Sequence, residues 1–101
     1  YRQLNVWNKA MILANQIYDV TAGFPKEEIY GLSSQMRRAA VSVASNIAEG
    51  SRRGTRAEFR RFCEIAHGSL AELETQCILA FQRQYIAETI YTEIMCTAES
   101  I

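Results

Sequence analysis

Cys63 and His67 are the first side chains in this sequence whose types and spacing suggest chemistry. They lie four residues apart, so on a helix both point along one flank. A zinc site needs three or four ligands, and no further Cys or His lies near this pair in the sequence. A Cys–His nucleophile needs an activating neighbour, which the sequence does not supply. We therefore expect Cys63 to face the core, His67 to face an edge, and no metal site.

Carboxylates and serines give no catalytic pattern either. Glu27 and Glu28 are adjacent, and Glu72 and Glu74 are two residues apart, so on a helix their side chains point in different directions. No serine lies in a Gly-x-Ser-x-Gly context, and no glycine-rich loop follows a strand. The sequence therefore predicts no catalytic residue, no cofactor and no enzyme, with a metal-dependent enzyme as the weakest alternative.

The elements that must position these residues are helices. Gly23, Pro25 and Gly31 mark one break in the chain, and Gly50 and Gly54 mark another. Between the breaks the apolar residues recur with helical spacing. The pattern predicts four helices, over about residues 4–22, 33–50, 55–83 and 87–101, in a single all-α domain spanning 1–101. Short links favour an antiparallel up-down-up-down four-helix bundle.

Three helix ends have recognisable signals. Ser33 or Ser34 is suited to cap the second helix, and Gly50 to end it. Thr55, with Glu58 three residues later, forms a capping box for the third helix.

Composition limits the function classes. The chain has 101 residues, 49% of them hydrophobic and 22% charged, with a net charge of zero. That balance argues against a protein that coats nucleic acid through bulk charge. The uncharged stretches are too short to span a membrane, and no secretory leader opens the chain. Three cysteines without metal-like pairing indicate reduced thiols in the cytoplasm. The start at Tyr1 and a fourth helix still amphipathic at residue 101 lead us to expect further native residues.

Positive charge is concentrated in one stretch. Residues 37–61 contain seven arginines and two glutamates, a net charge of +5, so the rest of the chain carries −5. An up-down bundle places the start of the first helix beside the turn between the second and third. We call this end the arginine pole. Its predicted members are Arg2, Lys9, Arg52, Arg53, Arg56, Arg60 and Arg61.

Two interpretations of the arginine pole remain open. Arginine outnumbers lysine nine to two in the chain, which favours planar contacts with phosphate or carboxylate groups. The alternative is a solvated turn whose charges pair with nearby acids, namely Glu49, Glu58, Glu64 and Glu99.

A polar stripe follows the second helix and faces the third. If the hairpin turns near residues 52–54, Arg38 lies near Ser69 and within reach of Glu72, while Glu49 approaches Arg60 or Arg61. These residues either fix the helix register through ion pairs or form a polar groove on the flank or at a subunit contact. Asn46 fits the first interpretation least, since Asn is a poor mid-helix residue. The predicted network is Arg38, Ser42, Asn46, Glu49 and Glu72.

Several segments resemble one known family. The run GLSSQMRRAAVSVASNIAEG over residues 31–50 resembles the signature of the bacterial four-helix bundle proteins, also called 23S rRNA intervening-sequence proteins. The opening residues 1–10 and the segments TRAEFRRF (55–62) and GSLAELETQ (68–76) agree with it. The resemblance covers nearly the whole chain, although the fourth helix matches only in pattern.

The resemblance implies a four-helix bundle with no established catalytic activity. Members are named for reading frames within insertions of 23S rRNA genes, and they are similar to the accessory variability protein of diversity-generating retroelements. That relative forms a homopentameric barrel, contacts a reverse transcriptase and binds nucleic acid through a basic surface. Apolar arcs of about 200° on the first two helices also favour a ring of subunits.

These observations predict a non-enzymatic homo-oligomer, a pentamer, that binds RNA or DNA through the arginine pole. The alternative is a protein-interaction scaffold whose arginines dock an acidic partner protein.

Overall fold

The protein folds into four α-helices, as the sequence predicts. The computed structural model describes the backbone of residues 2–101 and the side chains of residues 3–101. The helices are α1 (Arg2–Thr21), α2 (Leu32–Ser51), α3 (Arg56–Gln82) and α4 (Glu88–Glu99), and a short 3-10 turn lies at Lys26–Glu28. Within the described residues no strand forms, and no helix has both the length and the apolar character needed to cross a membrane.

The helices pack as an antiparallel bundle. α2 packs on α1 and on α3, and α4 packs on the same two helices from the other side. In the described part of the chain, no Cα atoms of the diagonal pairs α1–α3 and α2–α4 lie within 8 Å of each other. Helices that follow one another through short links and pack side by side run up and down in turn. The predicted four-helix bundle is therefore confirmed.

The core is built largely from small and medium-sized side chains, so the bundle is slender, about 43 × 25 × 17 Å. Leu13, Ile17, Met36, Ile47 and Leu73 are its largest fully buried members on the first three helices. α4 contributes fewer residues because it has only 12, among which Ile94 and Ala98 are buried. Burial of these side chains at the helical period is what stabilises the four amphipathic helices together.

The apolar arcs of α1 and α2 are only partly buried. Met11, Tyr18 and Val41 are 38%, 46% and 42% exposed, although all three belong to the apolar side that the sequence pattern defines. Trp7 beside them is half-buried. A continuous apolar surface therefore remains along the outer seam of these two helices, which we call the α1–α2 face.

α2 begins without the predicted serine cap. Its N-cap residue is Gly31, and the backbone N–H of Leu32 donates to Glu28 Oε1 at 3.1 Å. Ser33 is buried inside the first turn. Because the Glu28 carboxylate accepts a free N–H of the helix from outside, no capping hydroxyl is needed there. The prediction that Ser33 or Ser34 caps α2 is wrong.

Both ends of α3 are closed by local hydrogen bonds. Thr55 Oγ1 accepts the N–H of Glu58 at 3.1 Å, which confirms the predicted N-cap. The predicted capping box forms only in this half, because the Glu58 carboxylate accepts from Arg61 Nε and not from Thr55 N–H. At the other end Gln84 adopts a φ of 66°, and Tyr85 N–H donates to the carbonyl of Ala80 at 2.9 Å. This is the Schellman arrangement, in which the residue after the helix is left-handed, usually glycine.

Gly50 is the second-last residue of α2, so the helix ends one residue later than predicted. A Cβ on Gly50 would lie 2.7 Å from the Cβ of Phe62, so the missing side chain lets α2 and α3 approach closely. With Gly50 against Phe62, and Ser42 bonded to Ser69, the hairpin is shifted by about one helical turn from the predicted register.

The end of the bundle opposite the arginine pole is stabilised by contacts of aromatic side chains. Tyr85 Oη donates to Glu28 Oε2 at 3.0 Å, and the Tyr85 ring centre lies 5.2 Å from that of Phe24. Phe81 stacks on Tyr91 with ring centres 4.3 Å apart. These contacts join the α1–α2 turn to the α3–α4 turn.

Candidate nucleic-acid interface

The connection between α2 and α3 presents five arginines, and all five are exposed. Gly54 adopts a φ of 84°, a conformation that favours glycine, and so turns the chain between the two helices. The end of α2 and the first turns of α3 then carry the charged side chains at one end of the bundle. They are Arg52, Arg53, Arg56, Arg60 and Arg61.

Two of these arginines are held around the buried ring of Phe62. Arg53 pairs with Glu49 at 2.8 Å, and its guanidinium lies 5.0 Å from the ring centre. Arg61 pairs with Glu58 at 2.9 Å and lies 4.7 Å from the same ring. Exposed ion pairs contribute only about 0–1 kcal/mol each. Their effect here, together with the ring contacts, is to fix the orientation of two cations.

The other three turn arginines are differently placed. Arg52, Arg56 and Arg60 form no ion pair with any acidic side chain that the structure describes. Their guanidinium groups retain all five donors, in a planar fork suited to phosphate or carboxylate oxygens.

The two remaining predicted members of the arginine pole, Lys9 and Arg2, do not belong to the α2–α3 connection. Lys9 Nζ donates to the backbone carbonyl of Ser100 at 3.4 Å, so this ammonium group faces the end of α4. A cation is favourable there because helix carbonyls point outward at a C-terminus. The side chain of Arg2 lies outside the described residues.

Two grooves open beside the unpaired arginines, one on each flank of the first turns of α1. The Trp7 groove, of about 370 Å³, is lined by Gln3, Leu4, Trp7, Ile47, Ala48, Ser51 and Arg52. The Phe59 groove, of about 570 Å³, is lined by Gln3, Val6, Ile47, Arg56, Phe59, Cys63, Ala66, His67 and Ile101. Each combines an aromatic ring, aliphatic walls and one arginine. No acidic side chain is among the described residues that line either groove.

The polar stripe of α2 forms only part of the predicted network. Ser42 Oγ and Ser69 Oγ are 2.8 Å apart, and Asn46 Nδ2 donates to the Ser42 carbonyl at 2.8 Å and to its Oγ at 3.1 Å. These bonds explain the mid-helix asparagine, because its amide nitrogen has two acceptors on Ser42, one turn earlier in α2. The stripe is therefore a neutral hydrogen-bonded strip between two helices.

The charged members of the network do not pair as expected. Glu49 forms an ion pair with Arg53, four residues later in the chain, and not with Arg60 or Arg61 of α3. Arg38 and Glu72 are both exposed, and neither forms an ion pair among the described residues. The register shift moves Ser69 opposite Ser42 instead of Arg38.

The Cys and His side chains do not form a reactive cluster. Cys63 is half-buried and His67 is exposed, while burial raises the pKa of the Cys63 thiol. Cys77 is buried and Cys96 exposed, and all three cysteines are free. In the described part of the chain, no three His, Cys, Asp or Glu side chains are grouped so that they could hold a metal ion.

The two carboxylates of the α1–α2 turn have different surroundings. Glu28 accepts hydrogen bonds on both oxygens, from Leu32 N–H and from Tyr85 Oη, while Glu27 is exposed. Glu28 is thus a structural acceptor that joins two turns, and the pair does not share one site.

Sequence reasoning missed the position of Arg37. Its Nε donates to Thr21 Oγ1 at 2.8 Å, and its guanidinium lies 4.8 Å from the centre of the Tyr18 ring. Thr21 gave no signal for this contact, because its hydroxyl already donates to the Ile17 carbonyl at 2.6 Å and accepts from Arg37 as a second bond. Arg37 therefore supports the α1–α2 seam as well as adding positive charge.

Fold and surface define a class of protein: an all-α four-helix bundle with exposed arginines at one end. The family model described as 23S rRNA-intervening sequence protein matches residues 2–101, and the chain belongs to this family.

A solved structure from Bacteroides thetaiotaomicron has the same fold. It is a crystal structure of a protein with unknown function from the S23 ribosomal protein family, and it aligns with a TM-score of 0.87 at 24% sequence identity. The alignment covers 99% of this chain and 90% of that one. No curated protein matches the chain in sequence.

Proposed function

We propose that this protein is a non-enzymatic, homo-oligomeric bundle that binds RNA or DNA in the cytoplasm through the arginine pole. The observation that carries the proposal is the set of three exposed arginines, Arg52, Arg56 and Arg60, which lack an acidic partner among the described residues. A solvated turn would be expected to pair its cations with neighbouring carboxylates, as Arg53 and Arg61 do.

Net neutrality does not oppose this proposal, because the charge is unevenly distributed. Residues 49–61, at the pole, contain five arginines and two glutamates and carry a net charge of +3, so the remainder carries −3. Phosphates approaching the pole meet the positive segment, and charges farther than a Debye length of about 8–10 Å are largely screened.

Self-association through the α1–α2 face is the second part of the proposal. Met11, Tyr18 and Val41 leave an apolar strip there, and Trp7 lies at its end, where the strip meets the Trp7 groove. A ring of subunits would cover this strip and bring several arginine poles together. Five subunits is the number that the resemblance to the accessory variability protein implies.

Nucleic-acid binding can be tested by fluorescence anisotropy with labelled RNA and DNA at two salt concentrations. If three arginines each neutralise one phosphate, affinity falls about 20- to 40-fold between about 50 and about 200 mM salt. The test variant changes the three unpaired pole arginines to glutamine. It should bind weakly and lose most of the salt dependence.

The matched control makes the same change in charge outside the pole. Its three exposed cations, each changed to glutamine, are Lys26, Arg38 and Arg83. We expect this control to bind nearly as tightly as the parent. No binding of the parent at low salt, or equal loss in both triple variants, contradicts the proposed interface.

Self-association needs its own test, by light scattering at micromolar concentration. Met11→Glu should dissociate the assembly, whereas Ile90→Glu on α4, at a residue of nearly the same exposure (39% against 38%), should not. A parent protein that is monomeric contradicts this part of the proposal.

The rival function is a scaffold whose arginines dock an acidic partner protein. The same guanidinium groups would bind carboxylates in that case. A pull-down partner that survives nuclease treatment, and that the pole variant loses, favours the scaffold.

A further inference from the structure

We infer that the Trp7 groove receives an unpaired nucleobase, so that the arginine pole prefers single-stranded or looped nucleic acid to a perfect duplex. This inference rests on the proposed function and names the form of nucleic acid that the pole binds. The base would lie against the ring of Trp7 between aliphatic walls, and its phosphate would lie on Arg52.

The groove offers the two kinds of contact that an unpaired nucleotide needs. Leu4, Trp7 and Ala48 provide an apolar and aromatic surface, of which Leu4 is 59% exposed. Arg52 lies at the same groove and is unpaired among the described residues. Aromatic rings bind bases of any sequence by their π-faces, and arginine binds the adjacent phosphate.

Charge complementarity selects an anionic occupant. Arg52 is the only charged side chain among the described residues that line the groove, and the uncharged polar ones are Gln3 and Ser51. Ser51 Oγ already donates to the carbonyl of Ala48 at 2.7 Å. Gln3 therefore remains as the side chain with both a donor and an acceptor for the edge of a base.

The zero net charge of the protein favours binding of a single strand over binding of a duplex. Duplex binding draws mainly on phosphate contacts, whereas the pole has three unpaired arginines in a chain of zero net charge. Contacts with base faces add affinity that does not depend on net charge, and a duplex hides those faces in its stack. The volume of about 370 Å³ is ample for one base.

Trp7 is the only tryptophan in the chain, so its fluorescence reports on this groove and on the α1–α2 face beside it. The experiment titrates the full chain with an oligouridine of about 12 nucleotides and with a blunt RNA duplex of two complementary strands of the same length. We expect the oligouridine to quench Trp7 emission and to bind at least tenfold more tightly than the duplex. Light scattering on the same samples must show an unchanged assembly, because Trp7 borders the α1–α2 face.

Two variants separate base stacking from phosphate contact. In anisotropy measurements with labelled RNA, Trp7→Leu keeps an apolar side chain and should weaken oligouridine binding about tenfold, with little effect on the duplex. Trp7→Phe should restore most of the loss. Arg52→Gln should weaken both ligands, because each loses a phosphate contact. Arg83→Gln, at the other end of the bundle, is the control and should change neither.

The outcomes distinguish this inference from the proposed function. If neither RNA binds at low salt, the proposed function fails and the inference fails with it. If both bind equally and Trp7 emission does not change, the pole binds nucleic acid but the groove inference is overturned. Quenching by a polyglutamate peptide and not by oligouridine also overturns it, and assigns the groove to an acidic protein partner.

Discussion

Gly50 allows a sharp test of how α2 and α3 pack, because the chain provides its own control. Gly50→Ala adds a methyl group whose carbon would lie 2.7 Å from Phe62 Cβ and 3.3 Å from Phe59 Cδ1. Gly68→Ala makes the same change inside α3, where a Cβ meets nothing within 4 Å. Both substitutions exchange Gly for Ala within a helix, in the last turn of α2 and in the middle of α3, so a difference larger than the helix-propensity change of about 0.5–1 kcal/mol reports packing.

The expected free energies follow from these distances. Replacing Gly by Ala in a helix interior stabilises by about 0.5–1 kcal/mol. Gly68→Ala should show this gain undiminished. At Gly50 the methyl group overlaps a Cβ that cannot rotate away, and such overpacking costs about 1–3 kcal/mol. We expect Gly50→Ala to lose about 1 kcal/mol net, leaving the two variants about 2 kcal/mol apart.

Urea unfolding followed by circular dichroism measures both free energies of unfolding. The curves are recorded at two protein concentrations, so that any contribution of self-association to stability is separated. A Gly50→Ala variant as stable as Gly68→Ala would refute the reasoning, because α2 and α3 would then have room for a side chain. A loss in Gly68→Ala equal to that in Gly50→Ala would refute it as well, since the effect would not depend on the distance to Phe62.

Three further predictions concern other residues. Gln84→Gly should raise the thermal midpoint, since a left-handed non-glycine residue costs about 1 kcal/mol; an unchanged midpoint would contradict the Schellman ending of α3. Thr55→Ala should lose about 1 kcal/mol and Thr55→Ser much less, and equal losses would argue against the cap hydrogen bond. Burial, with a smaller contribution from the charge of Glu74, raises the pKa of the Cys77 thiol from 9.0 to about 12. The unfolded chain therefore releases this proton first, and stability falls between pH 9 and 12, by up to about 1.4 kcal/mol per pH unit. Urea unfolding at about pH 8 and about pH 10.5 should show that the Cys77→Ala variant lacks this loss of stability at alkaline pH. The same pH dependence in the parent and in the variant would contradict the raised pKa of Cys77.

Much of the fold could be predicted because it depends on local spacing. The helical recurrence of residues such as Leu13 and Ile17 defines the buried side of each helix without knowledge of its neighbours. The Thr55 cap was predictable for the same reason, since its hydroxyl bonds three residues away.

The errors arose where a residue serves a distant partner. Glycine marks either a helix end or a close approach, and only the position of Phe62 decides between the two for Gly50. The start of α2 likewise depends on a Glu28 side chain outside the helix. The charge asymmetry of the arginine pole was visible in the sequence. The Trp7 groove was not, because it combines side chains of α1 and α2, and their positions along the bundle axis depend on how the two helices pack.

The aromatic contacts at the end opposite the pole imply that the two ends of the bundle differ in their stability against local unfolding. Tyr85 joins Glu28 and Phe24 there, whereas the first turns of α1 have open grooves on both flanks. Amide hydrogen exchange in those turns should therefore proceed through local fraying, at a free energy well below that of global unfolding. Amides of α3 near Ala80 should exchange only when the whole molecule unfolds. The part of α1 beside the pole can thus rearrange around a ligand while the opposite end holds the four helices in place.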